Sequence, residues 1–298
     1  MEIDFKKLRP VRLSDRKLFD EKLALMSSQS CECTFANIFM YSEPYGIEFI
    51  EVEGRLVVYE RVARAIHYPI GEWTEPEMLH DISVAFRDAG LTDGGIYDVP
   101  EEFLDRHEDS DRFFEFEYDE GAIDYLYSIE KIATFSGPKL RKKHNLVKQF
   151  QTTCPYAEVR KITKEELPVV AKLAHDLNSR LEPCEFLDEE ELAMNLAWDN
   201  FEKLGLDGII LYAEPGYPAG FSVYSMMPSS DTIDVHFEKA DHTVKGVPQA
   251  LTWQLAIALR GKARFMNREQ DMNEENLRHA KRSLDPERFF KRYFLRAL

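Results

Sequence analysis

The sequence contains little cysteine. Only four cysteines occur among 298 residues, and Cys31 and Cys33 are one residue apart, with no second cysteine or histidine pair at the spacing of a zinc site. Neither a disulfide framework nor a metal site is therefore predicted. The four thiols are expected to be reduced, as in a cytoplasmic protein.

Long apolar segments are also missing. The first ten residues carry charge throughout and lack the apolar region of a secretory signal. The longest nearly apolar run, 250–259, has about half the length that a membrane-spanning helix needs. No membrane span is predicted, and the lack of short-period repeats and low-complexity segments excludes a solenoid.

A positive overall charge is missing as well, because the formal net charge is -16 at pH 7. Proteins that bind DNA need clustered lysine and arginine, so DNA is not an expected partner. The charge is uneven, however: segment 131–150 has six basic residues and no acidic one, and segment 260–298 has eleven basic and six acidic residues. Anion binding, including binding of a tRNA, is therefore expected to be local.

The periodicity of the second half predicts the order β-α-α-β-β-β-α-β-α. The predicted strands are 157–162, 208–213, 219–226, 232–239 and 264–267, and the predicted helices begin at 163, 188, 248 and 274. The first half begins with roughly the same order. We therefore predict an α/β (α+β) protein with two copies of one fold, divided into a domain at 1–136, a basic linker helix at 137–152 and a domain at 153–298.

The strand predicted at 232–239 carries the first group of candidate site residues. Alternation would place Ile233, Val235 and Phe237 on one face and Asp234, His236 and Glu238 on the other. A solvated polar face is the simpler interpretation of this pattern. A predicted helix start follows this strand and favours a functional site. Lys245, Gly246 and Val247 precede Pro248 there, and this pattern predicts an anion site at the helix N-terminus.

A second group follows the strand predicted at 264–267. Polar side chains at the carboxyl end of a strand are expected to line a crevice in an open α/β sheet. This group consists of Asn267, Arg268, Glu269 and Asp271, with Arg278 and Lys281 on the next helix. A solvated basic face is the alternative for that helix.

The linker helix supplies a third group, formed by Lys139, Arg141, Lys142 and Lys143. Most basic runs of this kind are solvated. Binding of phosphates, as in a tRNA, or of an acidic partner is the functional alternative.

Several of these segments resemble the bacterial DUF2156 family, which is similar to the C-terminal domain of phosphatidylglycerol lysyltransferase. The matching segments are 125–128, 137–145, 236–239, 245–246, 267–271 and 277–283. The resemblance implies a tandem pair of GNAT-like (acyl-CoA N-acyltransferase) domains, each a mixed, mostly antiparallel sheet flanked by helices. It also implies aminoacyl or acyl transfer, with aminoacyl-tRNA as the donor in the lysyltransferase relatives. Pro248 stands where the acetyltransferase pyrophosphate loop usually has glycine or alanine.

The resulting hypothesis is transfer of an acyl or aminoacyl group from a phosphate-containing donor to an amine or hydroxyl of a small-molecule or peptide acceptor. Acyl-CoA and aminoacyl-tRNA both remain open as donors, and no tightly bound cofactor is expected. An attacking amine must lose a proton, for which Glu238 is the first candidate base and His236 and Glu269 are the next. The alternative is a non-catalytic module that binds an anionic ligand or a partner.

Overall fold

The computed structural model describes residues 1–26, 28–228 and 230–298, the side chain of Glu185 excepted. The connection between the strands predicted at 219–226 and 232–239 therefore lies partly outside the described residues. Ten α-helices are present in this part of the chain: α1 Arg16–Leu23, α2 Phe35–Met40, α3 Pro76–Asp88, α4 Glu101–Arg106, α5 Ile129–Thr134, α6 Arg141–Thr153, α7 Leu167–Asn178, α8 Glu185–Asp199, α9 Val247–Leu259 and α10 Glu275–Arg282.

The strands form two sheets of seven strands each. In chain order they are β1 Arg9–Pro10, β2 Ile47–Val52, β3 Arg55–Glu60, β4 Ala65–His67, β5 Gly95–Pro100, β6 Phe114–Glu117, β7 Asp124–Ser128, β8 Glu158–Lys161, β9 Asp207–Glu214, β10 Tyr217–Met226, β11 Thr232–Ala240, β12 Phe265–Asn267, β13 Arg288–Phe290 and β14 Arg292–Ala297. Each sheet has one parallel pair, β4 with β5 and β11 with β12, and its other pairs are antiparallel. The predicted class, two mixed and mostly antiparallel sheets flanked by helices, is confirmed.

The two sheets exchange strands. The first sheet has the order β1-β2-β3-β4-β5-β14-β6, so that the last strand of the chain lies between two strands from its first half. The second sheet has the order β13-β7-β12-β11-β10-β9-β8 and includes β7 from the first half. Sheet membership therefore does not follow the division predicted near residues 136 and 153, and neither sheet is complete without a strand from the other part of the chain.

Three apolar clusters hold the layers together. The first lies between the sheets and joins Phe19 and Phe35 of α1 and α2 to Phe221 and Phe237 of the second sheet. The second packs α5, α6 and α9 on the far face of the second sheet, and the third packs α3 and α4 on the far face of the first. The central cluster keeps the halves in contact, because separating them would expose large aromatic side chains to water.

Most elements predicted for the second half are present, with changes at their ends. The three central strands and α9 agree within three residues. The helix predicted from Thr163 begins at Leu167, and the Thr163 hydroxyl donates to the Glu165 carboxylate. The helix predicted from Asp188 begins at Glu185. In the first half, β1 is only two residues long. No helix in the described ranges is long and apolar enough to cross a membrane.

Arg292 connects the two sheets electrostatically. It is the first residue of β14 in the first sheet and is 5% exposed. Its guanidinium donates to Asp124 Oδ1 of β7 at 2.9 Å, to Asp98 Oδ1 of β5 at 2.7 Å and to the Ala122 carbonyl oxygen. A buried charge with several well-placed partners is costly to disturb, since removing one member leaves the others uncompensated.

We therefore expect Arg292→Gln to lower the free energy of unfolding by about 3 kcal/mol, because it leaves buried carboxylates without a cation. The matched control is Arg296→Gln on the same strand. Arg296 also pairs with an aspartate, Asp93, but the two side chains are 42% and 64% exposed, so we expect a loss below about 1 kcal/mol. Urea denaturation measures both values, and equal losses would contradict the role of Arg292.

Candidate active site

A cavity of about 660 Å³ lies between the two halves and is lined by both. From the first half it receives residues of α2 and the first sheet, and from the second half residues of α8, β11, the segment after β12 and α10. Its charged lining consists of six carboxylates, Glu32, Glu60, Asp98, Glu190, Glu238 and Glu269, and of His67, Lys239, Arg268, Lys281 and Arg292. The predicted segments 236–238 and 268–270 meet in this cavity.

The cavity reaches into a gap between two strands of the second sheet. Strands β11 and β12 pair in parallel only as far as Asp234 and Asn267. Beyond that point Glu238 and Arg268 bridge the gap, with Arg268 Nη2 2.5 Å from Glu238 Oε1. Glu238 also accepts hydrogen bonds from the hydroxyls of Ser222 and Thr252, each at 2.9 Å. Glu238 is thus a well-partnered carboxylate that positions Arg268, whereas its predicted role as the base stays a prediction.

A β-bulge at His236 changes which side chains share a face. Val223 and Tyr224 of β10 stand opposite Phe237 and Val235, so His236 is the extra residue. After the bulge the alternation is inverted, because Phe237 packs in the central cluster while Glu238 contacts Thr252 of α9. The prediction that Asp234, His236 and Glu238 share one face is therefore wrong for Glu238. Strict alternation cannot reveal a bulge, which inserts one residue into the ladder.

Asp234, His236 and Glu269 form a compact group at the inner end of the cavity. His236 Nδ1 lies 3.4 Å from Asp234 Oδ2 and 3.8 Å from Glu269 Oε1. Burial lowers the pKa of His236 to about 3, so the ring is neutral at physiological pH. Burial, reinforced by the nearby Glu269, raises the pKa of Asp234 well above its usual range, and burial likewise raises the pKa of Glu269.

The segment after β12 is held in an irregular conformation. Asn267 is fully buried, and its side chain donates to Asp124 and accepts from the Glu269 backbone N–H at 2.7 Å. Glu269 itself has a φ of 55°, which is uncommon for a residue other than glycine. Lys281 of α10 donates to the carbonyl oxygens of Arg268 and Gln270. Asn267 and Lys281 thus orient the segment, and Arg268, Glu269 and Gln270 face the cavity.

The first half supplies an acidic wall that the sequence did not indicate. His67 Nδ1 lies 2.5 Å from Asp98 Oδ2, and its Nε2 lies 3.4 Å from Glu60. Although burial acts to lower it, the hydrogen bond and charge of Asp98 raise the pKa of His67 to about 10. Burial and the charge of Asp98 raise the pKa of Glu32. These residues carry no local motif, since their proximity comes from three separate strands and loops of the first half.

The mouth of the cavity is apolar. Its partly exposed side chains include Leu181, Phe186, Met272 and Leu277. The cavity therefore combines a charged interior with an apolar rim, which suits a ligand that has both a charged and an apolar part.

The predicted anion site at Lys245, Gly246 and Val247 does not belong to this cavity. Val247 is completely buried, and Gly246 has a φ of +86° and packs against α6. A Cβ at Gly246 would lie 2.6 Å from the Leu146 carbonyl oxygen and 3.0 Å from Phe150 Cβ. Helix α6 therefore covers the start of α9. Lys245 instead borders a separate shallow pocket with Lys148, Gln149, Thr152 and Thr153.

Two other predicted residues have structural partners outside the cavity. Arg278 donates to both oxygens of Asp271 at 2.8 and 2.9 Å, and Asp271 also accepts from the Tyr125 hydroxyl at 2.6 Å. The linker helix predicted at 137–152 begins only at Arg141, and Lys139, in the 3₁₀ turn before it, pairs with Asp285 at 2.9 Å. Arg141 and Lys142 are exposed and Lys143 is half-buried, so this surface is available to a large ligand but lies outside the cavity.

A model of the phosphatidylglycerol lysyltransferase C-terminal family matches residues 23–296. The chain belongs to this family. No curated protein matches its sequence. Among solved structures, a conserved protein of unknown function from Bacteroides thetaiotaomicron is 24% identical, with a TM-score of 0.87 over 98% of this chain and 99% of that one.

Two further solved structures share the fold of this chain. L-PGS from Bacillus licheniformis is 13% identical, with a TM-score of 0.71 over 99% of this chain and 93% of that one. The DUF2156 domain of a putative lysylphosphatidylglycerol synthetase from Agrobacterium fabrum is 12% identical, with a TM-score of 0.66 over 96% and 92%. The predicted resemblance to the DUF2156 and lysyltransferase family is confirmed.

The close packing of α6 on Gly246 gives a stability prediction. We expect Gly246→Ala to lower the free energy of unfolding by about 3 kcal/mol, because it combines a left-handed backbone with a clash against the Leu146 carbonyl. Gly216→Ala is the matched control, since Gly216 has a φ of +80° but no atom near its missing Cβ, and we expect a loss of about 1 kcal/mol. Equal losses in urea denaturation would show that α6 does not cover the start of α9.

The raised pKa of His67 gives a pH prediction. A histidine whose pKa rises from about 6.5 when unfolded to a higher value on folding contributes stability that is complete below pH 6.5 and lost as pH rises. We expect His67→Gln to cost about 3 kcal/mol at pH 6. The difference from the wild type should shrink as pH rises towards the folded pKa of about 10. The exposed His279→Gln is the control, and a pH-independent cost for His67→Gln would contradict the charged pair.

Proposed function

We propose that this protein is an aminoacyltransferase that moves an aminoacyl group from an aminoacyl-tRNA to an amine or hydroxyl acceptor bound in the cavity. The observation that carries this proposal is the carboxylate-rich cavity between the two halves. Membership of a family described by lysyl transfer supports it, and L-PGS is a solved structure with the same fold.

The charges of the cavity favour a ligand with an ammonium group. The lining has six carboxylates, of which Glu238 is paired with Arg268 and Glu190 with Lys239 at 2.7 Å. Among the residues that the structure describes, the cationic partners of the other three carboxylates, Glu32, Glu60 and Asp98, are His67 and Arg292. An aminoacyl group carries an α-ammonium, which carboxylates that outnumber their cationic partners attract.

The covered start of α9 disfavours coenzyme A as the donor. Coenzyme A would place its pyrophosphate at the N-terminus of the corresponding helix, where free backbone N–H groups bind anions. In this protein α6 lies against that position, and the Gly246 backbone is in contact with Leu146 and Phe150. An aminoacyl ester of tRNA does not need this site, so the structure favours it over acyl-CoA.

The surface outside the cavity is suited to the phosphates of a tRNA. Arg141, Lys142 and Lys148 are exposed along α6, and Lys245 borders the shallow pocket next to Lys148. These side chains lie in the segment with six basic residues and no acidic one. Binding through them would be local and would weaken as salt is added, as expected for phosphate contacts.

Glu269 is the side chain we place at the reacting group. Its carboxylate lines the cavity and accepts no hydrogen bond from any described residue, unlike that of Glu238. In the reaction, the acceptor nitrogen or oxygen attacks the ester carbonyl and the bond to the ribose oxygen breaks. The proton leaves the acceptor for Glu269, directly or through water, and the ribose oxygen takes up a proton as it departs.

The test is transfer of a radiolabelled aminoacyl group from a panel of charged tRNAs. Acceptors are supplied in two arms, phosphatidylglycerol vesicles and a peptide with a free amino terminus. We expect label to move to one acceptor, and Glu269→Gln to reduce the rate by about 100-fold or more, as is typical of a residue that transfers a proton. Filter binding should show that the variant still binds charged tRNA.

The control is Glu275→Gln, which alters an exposed glutamate at the start of α10 and should leave the rate unchanged. Binding of charged tRNA without transfer by the wild type would favour the alternative of a non-catalytic module. Transfer from an acyl-CoA but from no charged tRNA would overturn the choice of donor.

A further inference from the structure

The geometry points to a divalent metal site formed by Asp234, His236 and Glu269. One ligand atom of each residue lies within 4.8 Å of the other two. Two ligands about 2.1 Å from one ion at a tetrahedral angle are separated by about 3.4 Å. The observed separations from His236 Nδ1 are 3.4 Å to Asp234 Oδ2 and 3.8 Å to Glu269 Oε1, which are close to that value.

The atoms that would bind the ion have no hydrogen-bond partner in the described part of the chain. Both carboxylate oxygens of Asp234 and Nδ1 of His236 are buried without a hydrogen-bond partner. Asp234 is completely buried and His236 is 6% exposed. A buried carboxylate without a partner is strongly unfavourable, and a bound cation is one of the few groups that would compensate it.

Nearby positive side chains do not fill this role. Lys281 directs its ammonium to the carbonyl oxygens of Arg268 and Gln270, and Arg292 directs its guanidinium to Asp98 and Asp124. Two carboxylates and an imidazole therefore face one another with no described cation bonded to any of them.

The histidine is held in the orientation that a ligand requires. His236 Nε2 lies 2.8 Å from Ser225 Oγ. When Nε2–H donates to that hydroxyl, Nδ1 presents its lone pair to Asp234 and Glu269. Metal-binding histidines are usually fixed in this way by a hydrogen bond to the second ring nitrogen.

The ligand set indicates the class of ion. Magnesium and calcium prefer oxygen ligands alone, whereas an imidazole with two carboxylates suits Mn²⁺, Fe²⁺ or Zn²⁺. His236 and Glu269 both line the cavity, so the ion would be open to a water molecule or to a carbonyl oxygen of the ligand. If Glu269 binds the ion through one carboxylate oxygen, its second oxygen stays free to accept a proton. The metal site therefore goes beyond the proposed transfer and is compatible with it.

The test is Mn²⁺ binding to the full chain, measured by isothermal titration and by the loss of the free-ion electron paramagnetic resonance signal. Mn²⁺ is the probe because the four cysteines would compete for Zn²⁺. We expect one ion per chain. Asp234→Asn and Glu269→Gln should each weaken binding by about 100-fold, and Ser225→Ala by about 10-fold.

The matched control is Glu60→Gln, a carboxylate of the same cavity outside the group, which should bind Mn²⁺ as the wild type does. Circular dichroism shows whether each variant is folded. Anomalous scattering from a wild-type crystal soaked in Mn²⁺ tests the site without any variant. Absence of stoichiometric binding, unchanged affinity in a folded Asp234→Asn, or an anomalous peak away from these three residues would overturn the site.

Discussion

The ion pairs of Arg292 are the interaction on which the arrangement of the two halves depends. Arg292 belongs to the first sheet, and its guanidinium donates to Asp124 of β7, a strand of the second sheet. The same Asp124 accepts from Asn267, which orients the segment that carries Arg268 and Glu269. A single buried network therefore joins the strand exchange to the residues that face the cavity. The site exists only because both parts of the chain contribute to it.

The cavity itself arises from two interruptions of regular structure in the second sheet. Strands β11 and β12 stop pairing after Asp234, and the bulge at His236 turns Glu238 towards α9. The first interruption opens a gap in the sheet, and the second places a carboxylate where it holds Arg268 across that gap. Regular strands would have closed the space, so the irregularity creates the room for a ligand.

The sequence predicted the parts of the fold that depend on local pattern. The strands from 208 to 240, α9 and the segment 267–271 are governed by alternation, capping and turn chemistry, all of which act over a few residues. Such local patterns could not predict the exchange of β7 and β14, because Asp124 and Arg292 are distant in sequence and come together only in the folded structure. The same reason explains why Glu32, His67 and Asp98 were missed. The proposed metal site was not predicted either, because Glu269 is far along the chain from Asp234 and His236 and the three residues lack the spacing of a known motif.

The central claim is that the cavity between the halves binds the ammonium-bearing part of an aminoacyl substrate. A crystal structure with a bound amino acid amide, an inert analogue of the aminoacyl ester, tests this most directly. The amino group should lie within hydrogen-bonding distance of carboxylates that line the cavity, with the amide carbonyl near Arg268 or Glu269. An amide bound on another surface, or bound in the cavity with its amino group turned away from the carboxylates, would contradict the claim.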